Sequence, residues 1–236
     1  MSTDFHWERY AGEWIEWVRT PDHDAFWVYV QQFREFLPPP GSHTLDLGCG
    51  EGRVSRELTD LGHRVTASDL SPSLLEAAER AGSAADYRLA DAAALPFADD
   101  SFDRVVAYNV LMDVPDVPAA VAEVARVLAP GGEFTMSVVH PFADRCTVDD
   151  SGRFVMAGDY LTGGVFSAAE TRAGLDMHWD GWSRPLHEYF DALTSAGLAV
   201  TAMREPKPER VDGPYSGLEP WRRMPLFLWL NARHRA

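Results

Sequence analysis

Leu45-Asp46-Leu47-Gly48-Cys49-Gly50-Glu51-Gly52-Arg53 is the stretch that decides the fold. An apolar run that contains an Asp meets three glycines at every second position, and a helix-forming pattern follows. A buried strand that breaks into a glycine-rich turn and then a helix is how open α/β sheets build a nucleotide site. Without a Cβ, the glycines let the backbone turn tightly and come close to a ligand. The helix start adds free N–H groups and the positive end of the helix dipole. The spacing is G-x-G-x-G, with an acid two residues before the first Gly. A dinucleotide-binding turn would read G-x-G-x-x-G, and no G-K-[ST] is present to hold a triphosphate. Asp46, Gly48, Cys49 and Gly50 are therefore candidate ligand contacts.

The rest of the chain sets bounds on the function. At 236 residues it can bury a substantial core as one large domain or a domain with a lid. The net charge of −15 argues against nucleic acid or an anionic membrane surface as a partner, because both need a basic face. With two cysteines, one of them inside the glycine turn, a structural disulfide is not expected and a reducing cytoplasm is. The polar N-terminus does not read as a secretory signal, and no apolar run is long enough to span a bilayer. A monomer or homodimer is expected.

Outward from the turn, apolar periodicity predicts a helix over residues 4–19 and a second that begins after Thr20-Pro21-Asp22, carries Phe26 to Leu37 and ends at Pro38-Pro39-Pro40. Residues 1–40 read as an N-terminal helical lid, and 41–236 as the catalytic domain. Strands are expected near 43–47, 63–68, 87–90, 104–107 and 133–139, with helices at about 52–61, 118–128 and 186–196 between and after them. Residues 198–205 and 225–231 read as a final antiparallel pair at the sheet edge. Residues 206–225 read as a loop, and 140–182 as an insertion with short strands that covers the acceptor. Asp69, about twenty residues past the turn at the end of the second strand, is placed to accept hydrogen bonds from ribose hydroxyls.

These motifs together resemble the class I S-adenosylmethionine-dependent methyltransferases. The turn matches [VIL]-[DE]-x-G-x-G-x-G. Asp69-Leu70-Ser71-Pro72-Ser73-Leu74 matches D-x-S-x-x-[ML], and Arg126–Gly132 matches R-x-L-x-P-G-G. Leu95-Pro96-Phe97 through Ser101-Phe102-Asp103 to Val105 resembles the branch that acts on quinones, sterols and natural products. The resemblance implies a Rossmann-like, seven-stranded, mostly parallel α/β sheet with an antiparallel edge strand and helices on both faces. It implies S-adenosyl-L-methionine as donor, S-adenosyl-L-homocysteine as product, and a small-molecule acceptor methylated at O, N or C. Asp69 would hold the ribose, Leu70 would pack on the adenine, and Asp91 with the Ala92 N–H would read its edge. Leu74, Asn109 and Val110 would complete the donor site. Tyr10, Trp14 and Arg19 would close over it, with Arg19 pairing with the donor carboxylate. The [DNS]-P-P-[FYW] run of nitrogen methyltransferases acting on DNA and protein is absent after the fourth strand.

Transfer from a sulfonium needs positioning and at most one base. His23, Asp24, His140, His178, His187 and Glu188 are candidates, with His140 first because it follows the fifth strand, and His178 second. No cluster has metal-ligand spacing, so no metal is expected. The tryptophans near residues 7–27 and 179–182 suggest a flat or apolar acceptor. Two other readings share parts of the pattern: a nicotinamide-dependent oxidoreductase, for which the turn spacing is wrong, and a non-methylating protein of the same fold that keeps the donor site.

Overall fold

The computed structural model describes residues 7–235. The strands β1 (Thr44–Leu47), β2 (Val65–Asp69), β3 (Asp86–Leu89), β4 (Phe102–Tyr108) and β5 (Leu128–Val139) run parallel in the order β3-β2-β1-β4-β5. β1 and β2 are buried along their whole length, as expected of strands covered on both faces. The chain order reverses between β1 and β4, and the crevice at such a switch point is where open α/β sheets bind ligands. The sheet is completed by β10 (Leu198–Arg204) and β11 (Phe227–His234), which pair antiparallel. β11 is the reversed strand and is inserted between β5 and β10, so the antiparallel pair does occupy the sheet edge.

Helices cover both faces. α2 (Phe26–Phe36) and α3 (Arg53–Asp60) share one core with β4 and β11, while α5 (Val117–Val127) and α6 (Leu186–Ser195) share the other. α4 (Pro72–Arg80) packs on β2 and β3. Local chemistry starts two of these helices. Ser71 caps α4 by accepting from the Leu74 N–H (3.2 Å), and Asp116 caps α5 by accepting from the Ala119 N–H (2.9 Å). Along β4, Phe102, Val105 and Ala107 face the α5/α6 core, and Val106 and Tyr108 face the α2/α3 core.

Two expectations change, for the N-terminal segment and for the loop before β11, while the insertion has the short strands expected of it. The N-terminal segment is not a single lid. Phe26, Tyr29, Phe33 and Phe36 of α2 are buried against Val106, Tyr108 and Trp229, so α2 is a core layer of the catalytic unit. Only α1 (Trp7–Arg19) lies over the strand ends; residues 4–6 of that expected helix lie outside the described residues. The insertion forms two hairpins, β6 (Cys146–Val148) with β7 (Phe154–Met156) and β8 (Gly164–Arg172) with β9 (Leu175–Ser183). The stretch read as a loop before β11 contains a 3-10 helix over Gly213–Arg222. No described helix is long and apolar enough to cross a membrane.

Candidate active site

A cavity of about 1020 Å³ lies over the carboxyl ends of β1, β2 and β4. One wall is the glycine turn. Gly48 has φ +68°, and a Cβ there would sit 2.5 Å from a Val110 methyl. Gly50 has φ +57°, and its added Cβ would stand 3.4 Å from the Trp14 indole nitrogen. Only glycine leaves this channel open. Asp46 is buried beneath the turn, where it accepts from the Ser55 hydroxyl (2.5 Å). Burial pushes its carboxyl up to about 7. Asp69 accepts the Gly50 N–H on one oxygen and the Ser71 N–H on the other, each at 2.8 Å. Burial raises its pKa, and those two backbone bonds partly oppose the rise. A carboxylate has about four acceptor positions, so Asp69 keeps capacity for a ligand.

The remaining predicted contacts fall around the same wall. Cys49, Leu70, Leu74, Asp91, Ala92, Asn109 and Val110 all line the cavity. Burial drives the Cys49 thiol well above its ordinary pKa, so it is a neutral wall and not a nucleophile. Asp91 is oriented by the Ala93 N–H (2.8 Å). Asn109 has φ +56° and is fixed to β5 twice: its N–H donates to the Ser137 carbonyl (2.8 Å), and its side-chain oxygen accepts from the Ser137 hydroxyl (2.7 Å).

Above the turn, α1 contributes Trp7, Trp14 and Trp17 to the cavity. Tyr10 and Arg19, expected beside them, do not line it. The Tyr10 hydroxyl donates to Asp180 (3.2 Å) on the outer face of β9. Arg19 lies about 120° around the helix from Trp7. It donates from Nε to Glu51 (2.8 Å) and from Nη2 to the Ala77 carbonyl (3.1 Å). The cation beside the turn is Arg53, the first residue of α3. Its Nη1 donates to Asp24 (3.0 Å), and its guanidinium lies over Trp14 (4.9 Å) and Phe26 (4.4 Å).

The far half of the cavity was not legible as a site. Its walls are Trp17 of α1, Tyr108 of β4, Met177 and Trp179 of β9, and Tyr215, Trp221 and Phe227 from the segment leading into β11. Glu170 and Arg172 line it as an ion pair. Asp113 is a further wall residue. It accepts from the Trp7 indole N–H (3.0 Å), and burial pushes it up to about 8. The loop that carries it is held by the buried Arg184, whose guanidinium donates to the carbonyls of Leu111, Met112, Val114 and Pro115.

This geometry can be set beside known proteins. The methyltransferase-domain family matches residues 45–136. A ubiquinone/menaquinone biosynthesis C-methyltransferase from Desulfotalea psychrophila is 33% identical over 175 residues, covering 61% of this chain and 70% of that one. The crystal structure of an S-adenosylmethionine-dependent methyltransferase from Mesorhizobium loti is 29% identical, with a TM-score of 0.71, and covers 90% of this chain and 99% of that one. The chain belongs to the S-adenosylmethionine-dependent methyltransferases. S-adenosylmethionine is its methyl donor, and the residues present fit that molecule. The glycine channel is one a Cβ would fill, and carboxylates stand at the ends of β1 and β2 and just after β3.

Within this methyltransferase the two histidines expected to be catalytic are placed elsewhere. His140 is buried outside the cavity wall. Its Nδ1 accepts from the Phe142 N–H (3.2 Å), which leaves the proton on Nε2 to face Glu205 (3.1 Å). Both ring nitrogens are occupied, and burial lowers its pKa. His178 points to the outer face of β9, where its backbone N–H and Nδ1 meet Glu13 (3.0 and 2.9 Å). Strand alternation explains this: Met177 and Trp179 face inward, so His178 and Asp180 face outward. The alternation Leu175, Met177, Trp179 carried that signal in the sequence. His23 is buried edge-on to Trp17 without lining the cavity, and His187 and Glu188 are exposed on α6. Asp24 lines the cavity, but Arg53 neutralises it.

Proposed function

We propose that this methyltransferase transfers its methyl group to an O, N or C atom of a small, flat, largely apolar or aromatic acceptor held in the far half of the cavity. The observation that carries this reading is one cavity of about 1020 Å³ whose lining combines the glycine turn and carboxylates with a set of aromatic rings. Single-ligand pockets run from ~300 to 1,000 Å³, so this volume suits a donor and an acceptor together. The polar end, with Gly48, Asp69 and Asp91, suits adenosine. The other end is walled by Trp17, Trp179, Tyr215, Trp221 and Phe227, and such rings stack on planar apolar molecules.

The bound donor supplies a methyl carbon on a positively charged sulfur. The chain's own residues do the rest by position. Asp69 accepts from ribose hydroxyls, and Asp91 with the Ala92 N–H reads the adenine edge. Leu70 and Leu74 pack on the ring, and Asn109 and Val110 border the donor's other flank. Trp7 and Trp14 exclude water from above. Orientation of this kind supplies up to ~7–11 kcal/mol in favourable cases. Glu170–Arg172 is an internally neutralised pair, so the acceptor end carries little net charge and favours uncharged molecules.

The test is methyl transfer from donor labelled on the methyl group to a panel of hydroquinones, phenols, indoles and small polar acids. Label is expected in the planar aromatic acceptors and is expected to vanish in Asp69→Ala. Preference for a small polar acid refutes the acceptor class. Donor binding with no label in any acceptor favours the non-methylating alternative.

A further inference from the structure

Asp113 lies on the loop after β4, where its backbone N–H donates to the Val110 carbonyl (2.8 Å). Val110 borders the channel at Gly48, so Asp113 stands beside the donor wall. It is half-buried and lines the cavity. Its Oδ2 accepts the Trp7 indole N–H (3.0 Å). Its Oδ1 lies beside Gly181 of β9, where an added Cβ would come within 3.1 Å of it. Among the described residues Oδ1 has no hydrogen-bond partner, and it keeps accessible surface.

The other carboxylates of the cavity are committed. Asp24 is held by Arg53, Glu51 by Arg19 and Arg56, and Glu170 by Arg172. Asp46 accepts from Ser55 beneath the turn, and Asp69 from the turn itself. No described cation forms an ion pair with Asp113. Trp7 and Gly181, which face it from α1 and β9, carry no charge. Asp144 of the 3-10 turn Ala143–Arg145, Arg184 after β9 and Asp69 of β2 act on it electrostatically, and it acts on Tyr189 of α6. Arg184 spends its donors on the loop carbonyls. Burial, with the Asp144 and Asp69 charges, outweighs the Trp7 bond and Arg184 and raises the carboxyl to about 8. An ordinary carboxylate is a poor base toward a phenol of pKa near ~10, and this one is far better matched.

We propose that Asp113 is the general base of the reaction, its Oδ1 taking the proton of a phenolic acceptor hydroxyl as that oxygen attacks the methyl carbon. The inference rests on donor and planar acceptor sharing this cavity, and it narrows the acceptor to a hydroxyl compound. The acceptor oxygen gains the methyl carbon as the C–S bond breaks, and the electron pair of that bond stays on sulfur. The O–H proton ends on Asp113, from which water removes it.

The experiment compares wild type with Asp113→Asn, using 2-naphthol and 2-naphthalenethiol as acceptors of labelled methyl at pH 7.5. Asparagine keeps an oxygen for Trp7. An aryl thiol ionises far more readily than a naphthol, so its sulfur can attack without a base. Asp113→Asn is expected to slow transfer to 2-naphthol ~100-fold or more, as loss of a general base does, and to slow transfer to the thiol at least ~10-fold less. Binding without turnover gives a second readout. With S-adenosylhomocysteine present, calorimetry is expected to show 2-naphthol binding wild type about fivefold more tightly at pH 8.5 than at pH 6, as the accepting carboxylate becomes charged, and binding Asp113→Asn equally at both. Equal losses for the two acceptors, or a pH dependence that persists in Asp113→Asn, overturn the base and leave the acceptor class standing. Label on a ring carbon of 2-naphthol overturns the hydroxyl assignment. If wild type binds S-adenosylhomocysteine and transfers to neither compound, the planar aromatic acceptor class fails and this inference falls with it.

Discussion

Asp113→Asn is expected to stabilise the protein most at alkaline pH and progressively less as pH falls towards 4. In the folded chain Asp113 sits in the cavity wall, accepts the Trp7 indole N–H, and is pushed by burial from 3.8 up to about 8. Below about pH 4 the carboxyl is protonated whether the chain is folded or unfolded, so the penalty is nil. Between about 4 and 8 the unfolded chain gives up this proton while the fold retains it. Stability therefore falls as pH rises, by at most ~1.4 kcal/mol per pH unit, and levels off above about 8. The full window would reach ~6 kcal/mol, and a side chain bordering a water-accessible cavity realises only part of it. A difference of about 1–3 kcal/mol between pH 5.5 and 8.5 is expected.

Asparagine cannot ionise, and its carbonyl oxygen can still accept from Trp7. At ~2–4 °C per kcal/mol for a chain of this size, the variant should melt ~3–10 °C above wild type at pH 8.5. At pH 5.5 the two should agree more closely. Asp46 and Asp144, held near 7 and 6, titrate in both proteins, so the difference between the two isolates Asp113. Thermal unfolding followed by tryptophan fluorescence at three pH values reads it directly. A melting difference that does not change from pH 5.5 to 8.5 refutes the reasoning.

Two further outcomes follow from the donor wall and its cover. Gly48→Ala places a methyl 2.5 Å from Val110 at φ +68°, where a non-glycine residue is itself strained. Strain of ~1–3 kcal/mol plus a blocked channel should cut S-adenosylhomocysteine affinity at least ~10-fold by calorimetry, and Val110→Ala should restore the space without relieving the backbone. Arg19→Ala removes the more exposed of two cations on the buried Glu51, which keeps Arg56 (2.6 Å), so a stability loss of about 1 kcal/mol is expected. It should leave donor affinity within about twofold; a tenfold loss would return Arg19 to the donor site.

The donor half was legible because each of its parts is a short, contiguous pattern. A strand, a glycine turn and a helix start lie within nine residues, and Asp69 and Asp91 follow their strands directly. The cover and the acceptor end are assembled from distant segments. Trp7 meets Asp113 across 106 residues, and Tyr10 meets Asp180 across 170. Helical periodicity places Tyr10 and Trp17 at nearly the same angle on α1. Only the packing of β9 sends one of them outward and the other into the cavity. His140 looked available after β5 because its sequence neighbours reveal neither Glu205 nor burial.

The methyl donor was implied by the resemblance of the motifs to a known family; what the sequence by itself determined was the α/β sheet and its switch point. Those follow from local turn chemistry and from the burial of single strands, which neighbouring residues encode. Tertiary structure decided which cations, hydroxyls and rings line the cavity and which turn away from it. Those choices depend on the direction of side chains on elements that meet only after folding. That is why Arg53 and Tyr108 stand at the cavity, and Arg19, His140 and His178 do not.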